Sequence, residues 1–301
     1  MVILIFSNSH YNTPNSTERK IFHMHNTIKK IAAVNGIVGF GKSSLAVTVP
    51  VVSAMGIQCC PVPTALFSNH PGFPQFYKKD LTTELPDYLD YWKKLDLTFH
   101  GILSGFLSSL EQIDMVKRLI TEFSTPDTKV IIDPVMGDHG RLYSVYTKEM
   151  CEAMKDLASY AHILTPNLTE ACILTDIPYH DGDWTDAELH GLLAHLKQYP
   201  AEQIVVSGIT SEDFLVNLIY DKANGTTIQK QKKAGKERSG TGDVFAAIIA
   251  SNAVHGIPFE ESVTMASRFI REAILFTEEN NIPSTDGVYF EPLLSKLKQN
   301  S

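Results

Sequence analysis

The residue types best suited to chemistry are concentrated in one short stretch, residues 239–243, with the sequence SGTGD. The apolar run 244–250 follows and predicts a helix, and the first N–H groups of a helix have no backbone partner and bind anions such as phosphate. A carboxylate among such donors stays ionised and can accept a proton from a hydroxyl group. The stretch therefore indicates either a phosphoryl-transfer site with Asp243 as the base, or a glycine turn in which Asp243 only caps a core helix.

A second candidate phosphate site lies at residues 36–43, with the sequence GIVGFGKS. The stretch matches the G-x-x-x-x-G-K-S pattern of a phosphate-binding loop, and it follows a predicted strand and precedes a predicted helix. In that interpretation Lys42 contacts the β- and γ-phosphates and Ser43 contacts the metal ion. The same interpretation leaves the stretches 165–170 and 240–243 without a role. A P-loop NTPase that uses 36–43 is therefore an alternative function.

Strands and helices alternate along the chain, which predicts an α/β fold with a mostly parallel sheet covered on both faces. The predicted strands are 31–34, 57–62, 101–103, 129–132, 162–164 and 203–206, followed by a hairpin of 214–220 and 226–231. Polar or glycine-rich turns follow most of these strands. Because ligands of such sheets bind beyond the carboxyl ends of the strands, we expect the turns to converge on one edge.

The composition fits a globular protein, with 44% hydrophobic and 20% charged residues among 301 and a formal net charge of −8. A negative balance argues against a nucleic-acid partner. Residues 1–23 lack the periodicity of the rest, so we predict that they form a disordered or weakly attached extension. Residues 24–301 are predicted to form a single domain.

Cysteine usage and hydropathy bear on the compartment. The four cysteines show no C-x-x-C spacing, which favours reduced thiols in a cytoplasmic protein over disulfides or zinc. No apolar stretch approaches the roughly 18 residues of a membrane span. We therefore expect a cytoplasmic protein with no membrane partner.

Five motifs in a fixed order carry a resemblance to a known family. They are TALFSNH at 64–70, LSGFL at 103–107, DPVMGD at 133–138, TPNLTE at 165–170 and GTGD at 240–243. With these motifs the chain resembles the ribokinase-like superfamily, and within it the pyridoxal/pyridoxamine kinases, over about residues 30–279. The resemblance implies a three-layer α/β/α sandwich with a mostly parallel central sheet. It also implies ATP-dependent phosphorylation of the 5′-hydroxymethyl group of a vitamin B6 vitamer, in the salvage of pyridoxal 5′-phosphate.

The resemblance also implies roles for the groups that would carry out the transfer. Asp243 corresponds to the base that removes the hydroxymethyl proton. The N–H groups of Gly240, Thr241 and Gly242 correspond to the anion hole for the transferred phosphoryl group. Glu170, with help from Asp133, corresponds to the site that holds Mg²⁺, through water molecules.

The family further implies which residues bind the two substrates. Those that would lie near the ATP phosphates are Asp133, Thr165, Asn167, Ser207 and Thr241. Those that would line the acceptor pocket are Gly36, Thr64, His70, Phe106 and Asp243, with Thr64 hydrogen-bonded to the pyridine ring and Phe106 stacked near it. Residues 139–143 correspond to a flap over the site.

Two departures from the family leave the choice of vitamer open. Gly36 stands where many relatives have a polar residue that contacts the ring, and Phe106 replaces the usual tyrosine. The related hydroxymethylpyrimidine kinases of thiamine synthesis carry cysteine where this chain has Asp243, so aspartate favours the B6 substrate. A nucleotide-binding sensor on the same fold would be expected to lose Asp243 or Glu170. The resemblance suggests a homodimer and leaves a requirement for a monovalent cation open.

Overall fold

The structure is a computed structural model that describes residues 24–298. The predicted extension, residues 1–23, lies outside the described residues. A single turn of 3₁₀ helix at Met24–Asn26 precedes the first strand, and two further 3₁₀ segments, Ser284–Asp286 and Glu291–Leu297, follow the last α-helix. No helix between residues 24 and 298 combines the length and the apolar character that crossing a membrane requires.

Strands and helices alternate as the sequence predicts. The strands are β1 (Lys30–Val38), β2 (Gln58–Phe67), β3 (Lys78–Asp80), β4 (Phe99–Ser104), β5 (Ser124–Ile132), β6 (Gly137–Asp138), β7 (Arg141–Leu142), β8 (Ile163–Leu164), β9 (Gln203–Ser211), β10 (Phe214–Asp221) and β11 (Gly225–Lys232). The helices are α1 (Leu45–Ala54), α2 (Leu85–Lys94), α3 (Leu110–Phe123), α4 (Lys148–Ala158), α5 (Leu168–Thr175), α6 (Asp186–Leu196), α7 (Thr241–His255) and α8 (Phe259–Glu279).

Nine strands form one sheet in the order β11-β10-β9-β8-β5-β4-β1-β2-β3. The six strands from β9 to β2 are parallel to one another, whereas β10, β11 and β3 are joined antiparallel at the two edges. Strands β6 and β7 form a separate two-stranded ribbon. The mostly parallel α/β fold predicted from the sequence is thus confirmed.

Alternate residues of the central strands pack against different helical layers. In β5, Val130 and Ile132 belong to the core beneath α2 to α6, whereas Ile131 belongs to the core beneath α1, α7 and α8. Because both faces are covered, the strands are apolar at successive positions rather than at every second one. The two helical layers and the sheet make the predicted three-layer arrangement.

The first two strands are longer than the sequence indicated. The prediction ended the first strand at the Asn35-Gly36 pair, because asparagine and glycine favour turns. In the structure β1 continues to Val38, and Ile37 and Val38 pair with Leu66 and Phe67 of β2 across a register shift. Tertiary pairing has overridden the local turn signal at this point.

Candidate active site

The polar turns predicted to converge do so at the carboxyl edge of the parallel strands. Asn35 lies near the end of β1, Ser104 ends β4, and Asp133 directly follows β5. Thr165 follows β8, and Ser207 lies in β9, where it forms an isolated bridge with Asn167. The edge therefore carries side chains from five neighbouring strands, as the general rule for ligand sites in such sheets predicts.

The glycine turn closes one side of this edge. Gly240 has φ +89°, a left-handed conformation that favours glycine, and a Cβ there would stand 2.6 Å from the Lys42 carbonyl oxygen. No side chain caps α7, and the first helical hydrogen bond runs from Val244 N–H to Gly240 O at 3.0 Å. The N–H groups of Thr241 and Gly242 therefore precede the helical ladder and remain available to an anion.

Asp243 lies in the first turn of α7, and both of its carboxylate oxygens accept a hydrogen bond. Asn35 Nδ2 donates to Oδ1 at 3.1 Å, and the backbone N–H of Ser44 donates to Oδ2 at 2.7 Å. Surrounding protein atoms withhold water from the carboxyl group and raise the pKa of Asp243 to about 6, although the two donors oppose this change. A carboxylate with such a pKa is ionised near neutral pH and is basic enough to accept a proton.

Asp133 stands beside Asp243 in the same cleft. Thr165 Oγ1 donates to Asp133 Oδ1 at 3.1 Å, and this bond alone favours the ionised form. Burial, followed by the negative charge of Asp243, raises the pKa of Asp133 well above its usual range. Thr165 is thus a hydrogen-bonding partner of Asp133. Its predicted contact with the nucleotide phosphates stays a prediction.

Glu170 is buried at the start of α5 and forms a capping box with Asn167. Asn167 N–H donates to Glu170 Oε2 at 2.9 Å, and Glu170 N–H donates to Asn167 Oδ1 at 2.9 Å. Met136 N–H donates to the other carboxylate oxygen at 3.1 Å. Burial and the charge of Asp133 nevertheless raise the pKa of Glu170 above its usual range. Glu170 therefore caps α5, and its predicted role in holding Mg²⁺ stays a prediction.

Asn167 also connects the cleft to the predicted flap. Its Nδ2 donates to the Gly137 carbonyl oxygen at 2.8 Å, at the base of the β6–β7 ribbon. The tip of the ribbon is the pair His139-Gly140, with φ +49° and +72°, which is typical of a tight hairpin turn. An open cleft of about 700 Å³ lies against the ribbon, between Asp138 and Tyr143 on one side and Tyr179 and Asp181 on the other.

Three of the residues predicted to line the acceptor pocket, Gly36, Thr64 and Phe106, lie on β1, β2 and the β4–α3 loop. Thr64 is fully buried and its hydroxyl donates to the Phe106 carbonyl oxygen at 3.0 Å, so it shapes the wall that holds Phe106. The Phe106 ring packs edge-on against Phe67 with ring centres 5.8 Å apart. A Cβ at Gly36 would approach the Phe67 ring to 3.1 Å, so any side chain at this position would have to shift that ring slightly. The predicted contact of Thr64 with a substrate ring stays a prediction.

His70 lies beneath the 39–44 segment, and both of its ring nitrogens are engaged by backbone groups. Gly72 N–H donates to Nδ1 at 3.0 Å, so Nε2 carries the proton that it donates to the Thr285 carbonyl oxygen at 2.6 Å. His70 thus holds two loops together beside the pocket. Its predicted substrate contact stays a prediction.

Residues 36–43 do not have the geometry of a phosphate-binding loop. Ile37 and Val38 are paired with β2, and the Lys42 ammonium forms an ion pair with Glu291 while the Lys42 carbonyl oxygen accepts from Ser239 Oγ at 2.8 Å. A phosphate loop must wrap its backbone N–H groups around the ligand, which paired strand residues cannot do. The P-loop alternative is therefore wrong for this chain.

Sequence reasoning missed Asn35 and Ser44 as neighbours of the candidate base. Asn35 was interpreted only as the end of a strand, although a polar residue at the carboxyl end of a buried strand is itself a signal. Ser44 acts through its backbone N–H, with φ +57°, and its sequence gives no signal for that role.

Comparisons with known proteins agree with this geometry. The sequence model of the phosphomethylpyrimidine kinase family matches residues 52–287. A pyridoxine/pyridoxal/pyridoxamine kinase of Bordetella avium is 30% identical over 260 residues, covering 82% of this chain and 85% of the relative.

Two solved structures extend the comparison to the whole fold. A candidate phosphomethylpyrimidine kinase of Bacteroides thetaiotaomicron, crystallised with pyridoxal, is 34% identical with a TM-score of 0.86, covering 90% of this chain and 96% of that one. The pyridoxal kinase of Lactobacillus plantarum is 27% identical with a TM-score of 0.81, covering 90% of this chain and 97% of that one. The chain belongs to the phosphomethylpyrimidine kinase family, and its similarity within that family includes the vitamin B6 kinases of the ribokinase-like superfamily.

Proposed function

We propose that this protein transfers the γ-phosphoryl group of ATP to the 5′-hydroxymethyl group of pyridoxal, pyridoxamine or pyridoxine. The observation that carries the proposal is the position of Asp243. Its carboxylate lies in the first turn of an uncapped helix, beside the free N–H groups of a glycine turn and within the same cleft as Asp133. A base and an anion-binding turn are thus adjacent, as transfer to an alcohol requires.

In the proposed reaction the acceptor hydroxyl donates its proton to the Asp243 carboxylate as its oxygen attacks the γ-phosphorus of ATP. The bond from the γ-phosphorus to the bridging oxygen breaks, and ADP leaves with that oxygen. The N–H groups of Thr241 and Gly242 stabilise the charge on the transferred phosphoryl oxygens. Thr165, Asn167 and Ser207 lie where they would position the triphosphate, and the flap would exclude water from it.

The donor set of the cleft fits Mg²⁺. The charges that act on Asp133 and Glu170 are those of other carboxylates, so a divalent cation would relieve their mutual repulsion. Within residues 24–298 no three His, Cys, Asp or Glu side chains converge to ligate a metal ion directly. We propose that Glu170 and Asp133 hold Mg²⁺ through water molecules, which this ion retains readily. Bound there, Mg²⁺ would neutralise phosphate charge.

The family resemblance further supports a cytoplasmic homodimer, and it leaves a requirement for a monovalent cation open. Each has a direct test. Light scattering of the purified chain measures its mass against the 33.4 kDa of a monomer. Turnover in potassium buffer and in tetramethylammonium buffer measures the cation requirement.

A second candidate function is phosphorylation of hydroxymethylpyrimidine, since the matching family model is named for phosphomethylpyrimidine kinase, which acts on the same pyrimidine in its phosphorylated form. The acceptor-side aromatic residues Phe67 and Phe106 would stack on either heterocycle. The two functions differ in the ring that the pocket holds, and the same assay separates them.

The test is a panel of acceptors, namely the three B6 vitamers and hydroxymethylpyrimidine, assayed for ADP release with MgATP. We expect kcat/KM for at least one vitamer to exceed that for hydroxymethylpyrimidine by about 100-fold, a difference that buried polar contacts can supply. Mass spectrometry and ³¹P NMR of the product identify a 5′-phosphate ester. Turnover of hydroxymethylpyrimidine with no vitamer turned over would overturn the B6 proposal in favour of the second candidate.

A further inference from the structure

Asn35 occupies a position that connects the two halves of the cleft. It lies near the carboxyl end of β1, is 6% exposed, and its carboxamide makes three hydrogen bonds. Nδ2 donates to Asp243 Oδ1, whereas Oδ1 accepts from the backbone N–H groups of Gly36 at 2.8 Å and Phe106 at 3.1 Å. One side chain therefore touches both the candidate base and the wall of the acceptor pocket.

These contacts fix which way the carboxamide points. An amide oxygen and an amide nitrogen look alike in shape, so their assignment depends on the hydrogen-bonding partners. Two N–H groups face one end of Asn35, and N–H groups can only donate, so that end must be the oxygen. The NH₂ group must then face Asp243, where it donates to the carboxylate oxygen Oδ1.

The missing side chain of Gly105 leaves room for the Asn35 carboxamide. A Cβ at Gly105 would lie 2.4 Å from Asn35 Nδ2, closer than any real contact. The β4–α3 loop thus approaches the carboxamide so closely that only glycine fits there. The loop, the carboxamide and the base form one packed unit.

The second oxygen of Asp243 is held from the same segment of chain. Ser44 N–H donates to Asp243 Oδ2 at 2.7 Å, and Ser44 has φ +57°, which is uncommon for a residue other than glycine. Asn35 and Ser44, which flank the 36–43 stretch that resembles a phosphate loop, thus each donate one hydrogen bond to the Asp243 carboxylate.

We infer that Asn35 is a positioning residue that orients the Asp243 carboxylate and fixes its position relative to the acceptor pocket. The inference rests on the proposed function of Asp243 as the base. With Oδ1 held by Asn35 and Oδ2 by Ser44, the plane of the carboxylate is fixed, and each oxygen keeps a lone pair that can accept a proton. Because the same carboxamide holds Phe106 N–H, movement of the pocket wall and movement of the base are linked.

Two variants test this inference with different effects on the fold. Asn35→Asp keeps the shape and the acceptor for Gly36 and Phe106 but replaces the donor to Asp243 by a carboxylate. We expect kcat to fall by about 100-fold, while KM for ATP stays within about twofold, because a misoriented base affects the transition state. Asn35→Ala removes all three bonds, and we expect kcat to fall by about 30-fold.

The control is Asn252→Ala, which removes another fully buried carboxamide, one that donates to Ser262 Oγ at 3.1 Å far along α7. A variant that only loosens the fold should resemble this control, with a lower thermal midpoint and a kcat within about threefold of the parent. Thermal midpoints of all variants are measured in parallel.

The decisive readout is a double-mutant cycle with Asp243→Ala. If Asn35 acts through the base, Asn35→Ala should change the residual kcat of Asp243→Ala by less than about threefold, because nothing is left to orient. An equal loss in both backgrounds would overturn the inference, as would an Asn35→Asp enzyme with unchanged kcat. The cycle uses whichever acceptor of the panel is turned over, so failure of every B6 vitamer counts against the proposed function and not against Asn35.

Discussion

Two glycine-containing stretches of this chain look alike in sequence and differ in structure. Residues 36–43 and residues 239–243 each follow extended or loop residues and precede an apolar helix. The first begins inside β1 and has its lysine paired with Glu291, whereas the second turns at Gly240 with φ +89° and leaves the start of α7 uncapped. Anion binding depends on free N–H groups at a helix start, and a consensus pattern alone does not supply them.

The two stretches also touch each other, and the contact explains what the first one does. The Ser239 hydroxyl donates to the Lys42 carbonyl oxygen, and the Ser44 N–H donates to Asp243. The segment 36–44 therefore packs against the glycine turn 239–243 and helps to hold Asp243 in place. Removing a group from one stretch, or from the cleft beside them, distinguishes which of the two serves as the phosphate site.

The largest effect is expected from Asp243→Asn, which removes the base from the glycine turn. We expect kcat to fall by about 10³-fold, because general base catalysis contributes about 10²–10⁴-fold and the amide cannot accept the proton. Steady-state kinetics with MgATP and the preferred vitamer measure the loss. Asp186→Asn is the matched control, since Asp186 also lies in the first turn of a helix but is exposed on α6. A kcat of Asp243→Asn within about threefold of the parent would contradict the proposed mechanism.

A smaller effect on rate is expected at low pH. Burial raises the pKa of Asp243 to about 6, so the carboxylate becomes protonated below that pH and can no longer accept a proton. We expect kcat/KM for the acceptor to fall about tenfold for each unit of pH on the acid side of that value. A pH profile measured on the parent enzyme checks this. A flat profile down to about pH 4, near the ordinary aspartate pKa, would show that Asp243 does not act as the base.

Asp133→Asn is expected to change stability and activity in opposite directions. In the folded protein the pKa of Asp133 is raised, so the folded state holds more protons than the unfolded state and stability falls as pH rises through that range. The neutral variant keeps the acceptor for Thr165 and loses the repulsion. We expect its thermal midpoint at about pH 8, without Mg²⁺, to exceed that of the parent by about 2–4 °C, with lower kcat.

The matched control for this change is Asp127→Asn, since Asp127 lies in β5, the strand that Asp133 follows, and is exposed to solvent. Its thermal midpoint should stay close to that of the parent, because substitutions of exposed residues usually change stability by less than about 0.5 kcal/mol. An Asp133→Asn protein less stable than the parent at high pH would show that the carboxylates do not repel one another.

The smallest effect is expected from Lys42→Ala, in the stretch that only resembles a phosphate loop. The Lys42 ammonium is already paired with Glu291, so we expect the Kd for ATP to change by less than about threefold when it is removed. Lys296→Ala, which breaks an ion pair with Glu272 in the adjoining C-terminal segment, is the control for lost charge. Loss of ATP binding in Lys42→Ala alone would restore the P-loop interpretation. Isothermal calorimetry measures both variants.

Much of the fold was predictable because strong local signals agreed with it. The hairpin predicted from 214–220 and 226–231 matches β10 and β11, which pair antiparallel across Asn224-Gly225. The short strands β3, β6 and β7 were missed, since two or three residues carry no periodicity. The end of β1 was misplaced because pairing with β2 is a long-range interaction that outweighs the turn preference of Asn35-Gly36.

The site was predictable to the extent that side chains themselves meet in the cleft. The negative charge of Asp243 raises the pKa of Asp133, and that of Asp133 raises the pKa of Glu170, so the turns that carry them lie close together. The roles of Asn167 as a cap, Thr64 as a wall residue and Ser44 as a backbone donor depend on three-dimensional partners. A sequence pattern records residue types, and it cannot record which carbonyl or N–H group each side chain meets after folding.

The most direct test of the central claim is a crystal structure with a non-hydrolysable ATP analogue and Mg²⁺. The measurement is the distance from the γ-phosphate oxygens to the N–H groups of each glycine stretch. We predict hydrogen bonds of about 2.7–3.1 Å from Thr241 and Gly242, with the γ-phosphorus facing Asp243. A triphosphate wrapped by residues 36–43, with the glycine turn empty, would contradict the account.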